Sequence, residues 1–189
     1  MNGKKGLIGY YNYTVVLTYI GMLSGFTGII SVLENNIERA VICLVISGIC
    51  DMFDGTVAST KKRTRQEKDF GIQIDSLSDL ICFGVLPATL SYGLNRENRI
   101  ACVISAVYVL CALIRLAYYN VDEQERQLQT EESRKYYLGM PVTLSSFFVP
   151  LIFLTLGNSE NLSTIVMCAL AVMALLFILP FRVKKPKLH

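Results

Sequence analysis

Hydrophobic positions along this chain come in long runs that are apolar on every helical face, and the polar positions gather in short clusters between them. A soluble amphipathic helix shows a one-sided stripe and a half-buried strand alternates; these runs do neither. A helix rising 1.5 Å per residue needs about 20 apolar residues to cross a hydrocarbon layer about 30 Å thick. Six stretches reach or approach that length: 14–33, 39–58, 71–94, 100–120, 142–156 and 162–181. The fifth is the shortest and holds Pro150. The pattern predicts an all-α polytopic membrane protein, a bundle of six transmembrane helices in one domain over 1–189. The first run lacks an A-x-A-like cleavage site and is too long for a signal-peptide core, so it reads as a span.

Composition agrees with this picture. Charged residues are 17% of the 189, against about 25% in ordinary soluble domains, and apolar residues are 52%. A net charge of +3 gives no argument for nucleic acid. The placement of the charge says more. Lys4, Lys5, Lys61, Lys62, Arg63, Arg65, Lys68, Arg126, Arg134, Lys135, Arg182, Lys184, Lys185 and Lys187 fall on one side of the threaded chain. Arg39, Arg96 and Arg99 fall on the other. The positive-inside rule then puts both termini in the cytoplasm. All six cysteines lie inside apolar runs without a C-x-x-C pair, which is the usage of a small packing hydrophobe rather than a disulfide frame. The one histidine is the last residue, so zinc and histidine acid–base chemistry are disfavoured. Gly21/Gly25 and Ser24/Gly28 are small-xxx-small pairs that let helices approach, and packing inside the bundle is their simplest use. The polar stretch 126–135 reads as a solvated loop or short surface helix.

Against this background four carboxylates stand out. Asp51 and Asp54 lie near the end of the second run, and Asp75 and Asp79 near the start of the third. An aspartate at mid-bilayer costs about 2.5–3.5 kcal/mol on insertion scales, so four unpaired ones would cost roughly 10–14 kcal/mol. They require a ligand, water, or both. Spacings of three and four put each pair on one helix face. The second run leads inward and the third leads back, so both pairs sit at the cytoplasmic side. Oxygen donors without nearby His or Cys favour a hard cation, Mg²⁺ or Mn²⁺, and Mg²⁺ commonly completes its shell with substrate phosphate. Gly55 and Gly71 beside these residues would let a phosphate or nucleotide approach the backbone closely, although each alone is as well explained by packing. The basic stretch 61–68 is an ordinary inside-loop signal that could also hold anionic headgroups.

The run Asp51-Met-Phe-Asp54-Gly55-Thr-Val-Ala58, followed by Gly71, Asp75 and Asp79, resembles the signature of the CDP-alcohol phosphotransferase family, D-x2-D-G-x2-A-R-x8-G-x3-D-x3-D. The stretches 83–88, 115–120 and 137–141 resemble its phosphatidylserine synthase branch. The resemblance implies a six-helix membrane enzyme, usually a homodimer. It would transfer a phosphatidyl group from CDP-diacylglycerol to L-serine, releasing CMP. By the same resemblance Asp51, Asp54, Asp75 and Asp79 would hold metal, and Asp79 would take the proton of the serine hydroxyl. Gly55, Ala58, Gly71, Asp51 and Asp75 would receive CDP. The chain departs from the pattern twice. Ser59 stands where the family has arginine, and eleven residues rather than eight separate it from Gly71. Lys61, Lys62 or Arg63 could replace the charge.

Arg115 is the basic residue inside an apolar run. A guanidinium there would bind a serine carboxylate or lipid phosphate through two parallel hydrogen bonds, or snorkel to the interface. Tyr118, Tyr119 and Asn120 beside it are weaker candidates. Rival readings are a glycerol phosphate or inositol phosphate acceptor, a catalytically silent binder of CDP-lipid or metal suggested by Ser59, and a cation transporter. The expected setting is a prokaryotic plasma membrane with the site facing the cytoplasm.

Overall fold

The computed structural model describes residues 8–129 and 136–184. Seven α-helices account for most of them: α1 Val16–Leu33, α2 Ile37–Ser59, α3 Arg65–Asp79, α4 Leu86–Leu94, α5 Arg99–Gln129, α6 Ser145–Leu156 and α7 Leu162–Ile178. Short 3-10 turns, Tyr13–Val15 and Val142–Leu144, lead into α1 and α6. A wide π-helical turn, Leu80–Val85, joins α3 to α4, making Arg65–Leu94 one continuous rod. The all-helical expectation gains one small addition, an antiparallel pair of three-residue strands, β1 Tyr136–Leu138 with β2 Arg182–Lys184. Four helices are long and apolar enough to cross a membrane: Tyr13–Leu33, Ile37–Ser59, Arg65–Leu94 and Arg99–Glu125. Val142–Leu156 and Leu162–Ile178 are apolar but shorter. At 1.5 Å per residue they span roughly 23 and 26 Å.

The apolar runs and these helices coincide, with shifts at their ends that have local causes. α3 starts six residues before the third apolar run because Thr64 caps it. The Thr64 hydroxyl accepts from Glu67 N–H while the Glu67 carboxylate accepts from Thr64 N–H, a reciprocal box that holds a helix start. α5 continues past the fourth run to Gln129, into the stretch read as solvated; residues 130–135 lie outside the described part. The last helix stops at Ile178, two residues before Pro180, whereas the hydropathy pattern carries on to 181.

α1 packs closely on α2 because its glycines face its neighbours. A Cβ on Gly21 would lie 3.2 Å from Cys50 Cβ, one on Gly25 would lie 2.6 Å from Cys82 Sγ, and one on Gly28 would lie 2.8 Å from Leu86. Ser24 Oγ donates to Cys43 O and Ser47 Oγ to Gly21 O, closing the seam with hydrogen bonds. The small-residue pairs are thus used for packing within the chain. Of the cysteines, Cys43, Cys50, Cys82 and Cys111 are buried. Cys102 and Cys168 lie on exposed faces, because their helices turn that side outward rather than to the core.

Pro87 shapes the middle of the bundle. It has no N–H, so the carbonyl one turn before it, that of Phe83, loses its helical donor. In lipid such a carbonyl must find another partner. Tyr108 Oη on α5 donates to it at 2.8 Å and Ser145 Oγ on α6 at 3.2 Å. Tyr108 and Phe83 are themselves fully buried, with Leu44, Leu86, Leu90, Leu170 and Phe177 around them. The outward faces carry Leu23, Phe26, Ile49, Val103, Leu110, Leu154 and Leu175, a girdle suited to lipid.

The loops gather at two ends. At one, Tyr10 Oη donates to Gln66 Oε1, Asn12 Nδ2 to Glu67 Oε1, and the hydroxyls of Tyr13 and Thr60 meet at 3.0 Å. At the other, Arg96 Nη2 donates to Val32 O and Asn95 Nδ2 to Ser163 O. Of the basic residues counted for sidedness, Lys4, Lys5, Arg134, Lys135, Lys185 and Lys187 lie outside the described residues. So does His189, and so do the side chains of Arg126, Arg182 and Lys184.

Candidate active site

The C-terminal half of α2 and the C-terminal half of α3 both pack against α1 and bring their acidic side chains together at the end of the bundle where residues 8–13 meet the 60–67 loop. About four turns of α3 lie between the Thr64 cap and the π-helical turn, and the capping box fixes its start. Asp75 and Asp79 project from this length toward Asp51 and Asp54 on α2. One carboxylate oxygen each from Asp51, Asp54 and Asp75 lies within 4.8 Å of the others. Asp79 lines the same recess, and its carboxyl is within hydrogen-bonding reach of Asp51, as that of Asp75 is of Asp54. All four are half-buried. The spacing argument placed both pairs together, and the structure does so.

α1 supplies a third wall that sequence reasoning missed. Thr18 Oγ1 donates to Asp54 Oδ2 at 3.2 Å, and Ser78 Oγ donates to the Thr18 carbonyl at 3.3 Å. A threonine in an apolar helix ordinarily bonds back to its own turn, so Thr18 gave little warning. The available signal was Thr14 and Thr18 four apart on one face of an apolar run. On the far side Ser76 Oγ donates to Asn120 Oδ1 at 2.7 Å, tying α3 to α5 one residue beyond Asp75.

Two spaces adjoin the cluster. The inner recess, lined by the four aspartates, Thr18, Ser47, Ser78 and Cys82, measures about 10 Å³, room for one small ion or a water. Cys50 and Cys82 also line the recess, contrary to the expectation of no cysteine nearby, but Cys82 Sγ donates to the Gly21 carbonyl. The converging ligand atoms are the carboxylate oxygens of Asp51, Asp54 and Asp75, which fit Mg²⁺ or Mn²⁺. The outer cavity, about 170 Å³, opens between Asp54 and Asp75 and is lined by Thr14, Thr18, Gly55, Ala58, Arg63, Gly71 and Ile72. Gly55, Ala58 and Gly71 were the residues expected to admit a nucleotide, and all three border this space. Nothing lies within 4 Å of a Cβ position on Gly55, so its backbone is open to an approaching group.

Arg115 is not brought to either space. It is 8% exposed, so its guanidinium does not snorkel to the surface. It lies 5.9 Å from the centroid of the Tyr119 ring, in a cavity of about 300 Å³ shared with Tyr118, Asp122, Phe177, Leu179 and Pro180.

Comparison with known proteins resolves the class. Residues 11–178 match the family profile described as CDP-alcohol phosphatidyltransferase. The chain belongs to this family. Among relatives of this CDP-alcohol phosphatidyltransferase, an archaetidylserine synthase of Methanothermobacter thermautotrophicus is 29% identical over 92% of this chain and 70% of its own length. The CDP-diacylglycerol–serine O-phosphatidyltransferase of Bacillus subtilis is 28% identical over 76% of this chain and 77% of its own. The enzyme of that name from Saccharomyces cerevisiae is 30% identical over 66% of this chain but only 48% of its own length, so the match spans about half of the yeast protein. Membership carries a general dependence on a divalent metal, which the carboxylate cluster is built to satisfy.

Proposed function

We propose that this CDP-alcohol phosphatidyltransferase moves a phosphatidyl group from CDP-diacylglycerol to L-serine, giving phosphatidylserine and CMP. The observation that carries the reading is the convergence of Asp51, Asp54 and Asp75 within 4.8 Å at the wall of a cavity bordered by Gly55, Ala58 and Gly71. The names of the relatives support serine as acceptor. Asp51, Asp54 and Asp75, with Asp79 beside them, would hold Mg²⁺ or Mn²⁺. Bound there, the ion would neutralise charge on the diphosphate and polarise the reacting phosphorus.

The chain's own groups do the rest. Gly55, Ala58 and Gly71 leave room for CDP to lie against the backbone, with Asp51 and Asp75 at its edge. Asp79 accepts the serine hydroxyl proton as the hydroxyl oxygen bonds to the phosphatidyl phosphorus. The phosphorus–oxygen bond to CMP breaks, and its electron pair leaves on CMP. Thr18 keeps Asp54 turned into the recess through its hydrogen bond. Arg115, which lines a separate cavity beside Tyr119, would reach an acceptor carboxylate or a lipid phosphate only from that neighbouring space. The chain acts as one domain over 1–189, with all six apolar helices crossing a prokaryotic plasma membrane, both termini and the site in the cytoplasm, and two copies forming a homodimer.

The test is purified full-length protein given CDP-diacylglycerol, L-serine and Mn²⁺, with release of CMP and phosphatidylserine as readouts. Turnover that stops with EDTA and returns with Mn²⁺ is expected. Absence of CMP release while a known serine phosphatidyltransferase is active in the same assay would overturn the reading. Product with glycerol phosphate or inositol phosphate and none with serine would move the assignment to another acceptor.

A further inference from the structure

The family pattern leaves the 59 position without its cation, and the structure shows what the longer loop does instead. Ser59 is exposed and spends its hydroxyl on its own helix, donating to the Thr56 carbonyl at 2.7 Å. The basic residues that follow are not equivalent. Lys61 is engaged, its Nζ 3.2 Å from Glu67 Oε1. Lys62 is exposed. Arg65 is also exposed and lies beside Asp69 on its own helix at 4.0 Å. Arg63 is half-buried and lines the outer cavity together with Asp54, Gly55, Ala58, Gly71 and Asp75. Among the described residues bordering that space it is the one cation. Its Nη1 lies 3.1 Å from where a Cβ on Gly71 would stand, so the absent side chain at 71 makes the room that the guanidinium occupies.

Two features hold Arg63 in place. The capping box begins at the next residue, Thr64, and fixes the chain's entry into α3. The Lys61–Glu67 pair closes the loop on the other side of Arg63. The guanidinium therefore faces a cavity whose opposite wall carries carboxylates. A dianionic ligand entering there meets repulsion from Asp54 and Asp75 unless cations face it. A planar fork of N–H donors suits phosphate oxygens better than a lysine does.

We propose that Arg63, carried into the cavity by the longer loop, is the diphosphate-binding residue of this chain and replaces the arginine that Ser59 displaces. The inference rests on the CDP-lipid reading above and names which residue of this chain grips the nucleotide's phosphates. A charge-assisted hydrogen bond to phosphate contributes about 1.5–3 kcal/mol, which corresponds to about ten- to hundredfold in affinity.

The experiment uses the full-length protein in detergent with Mn²⁺. It measures equilibrium binding of CDP itself and, separately, KM for CDP-diacylglycerol and for serine. Arg63→Gln is expected to weaken CDP binding and raise KM for CDP-diacylglycerol by about ten- to hundredfold while KM for serine stays put. Lys62→Gln removes the same charge from the same loop and is expected to change neither. Ser59→Arg added to Arg63→Gln returns CDP affinity toward wild type. Should Arg63→Gln fail to fold, Arg63→Lys keeps the charge without the fork and is expected to weaken CDP binding measurably. CDP affinity unchanged in the Arg63 variants, or lost equally in Lys62→Gln, overturns the inference while leaving the enzyme reading standing. A wild-type protein that neither binds CDP nor releases CMP removes the enzyme reading and this inference with it.

Discussion

At the residue scale, the four aspartates do not occupy equal places. Asp51, Asp54 and Asp75 approach one another within 4.8 Å, while Asp79 stands one turn further along α3 and reaches toward Asp51. On the proposed reading, a carboxylate beside the metal-holding triad, rather than within it, would receive the acceptor's proton. Asp79→Asn is therefore expected to lower kcat by about 10²–10⁴-fold. CDP binding should persist, and stopped turnover with retained CDP binding is the pattern to look for. A parallel loss of CDP binding would instead make Asp79 a ligand in the nucleotide complex. Thr18→Val acts one step further out. It removes the donor to Asp54 Oδ2 with little change of shape, and partners of metal ligands typically matter by about 10–100-fold. The expected readout is a Mn²⁺ titration of activity shifted upward by about tenfold. The aspartates could be read directly from the sequence because a charge in an apolar run is costly and needs a reason. Thr18 could not, since a hydroxyl is tolerated in such a run without any partner outside its own helix. Arg63 remained one of three basic candidates, because only the course of the loop decides which of them turns inward.

At the element scale, the α2–α3 connection positions the site and the Thr64–Glu67 box controls it. Thr64→Ala removes the hydroxyl that caps α3 and is expected to cost about 1 kcal/mol at that helix start. Lys61, Lys62, Arg63, Arg65 and Lys68 make this stretch a natural trypsin target. An opening made about 1 kcal/mol easier corresponds to roughly fivefold more of the open form. Limited trypsinolysis should cut the variant about fivefold faster here, and an unchanged rate would show that the cap does not hold the loop. The box was written in the sequence as Thr64-x-x-Glu67, yet hydropathy alone starts the helix at Gly71 because the first turn is polar. The π-helical turn was less accessible. Pro87 announces a lost donor to Phe83, but the replacement donors come from Tyr108 and Ser145, 25 and 62 residues away. Periodicity records what lies along one element, and such repairs depend on what packs beside it.

At the scale of the whole molecule, the six apolar helices divide into four of full length and two that are short, and the proposed threading depends on the short pair. If α6 and α7 both cross, the turn between them lies with the loops 34–36 and 95–98, opposite the 60–64 loop. The hydrogen bonds from Asn95 to the Ser163 carbonyl and from Arg96 to the Val32 carbonyl already gather those three turns at one end. Their lengths of roughly 23 and 26 Å fall below a hydrocarbon thickness of about 30 Å, a mismatch that local thinning of the bilayer absorbs at modest cost. Single cysteines at exposed positions read the sides out. Lys62→Cys, Glu97→Cys and Glu160→Cys, each compared with the wild-type background, would be treated with a membrane-impermeant maleimide in intact cells and in inverted vesicles. Lys62→Cys is expected to label only in inverted vesicles, and Glu97→Cys and Glu160→Cys only from outside intact cells. Labelling of Glu160→Cys from the same side as Lys62→Cys would leave α6 and α7 as a hairpin that returns without crossing. Labelling of Lys62→Cys from outside would reverse the whole chain and place the aspartates away from a cytoplasmic supply of CDP-lipid.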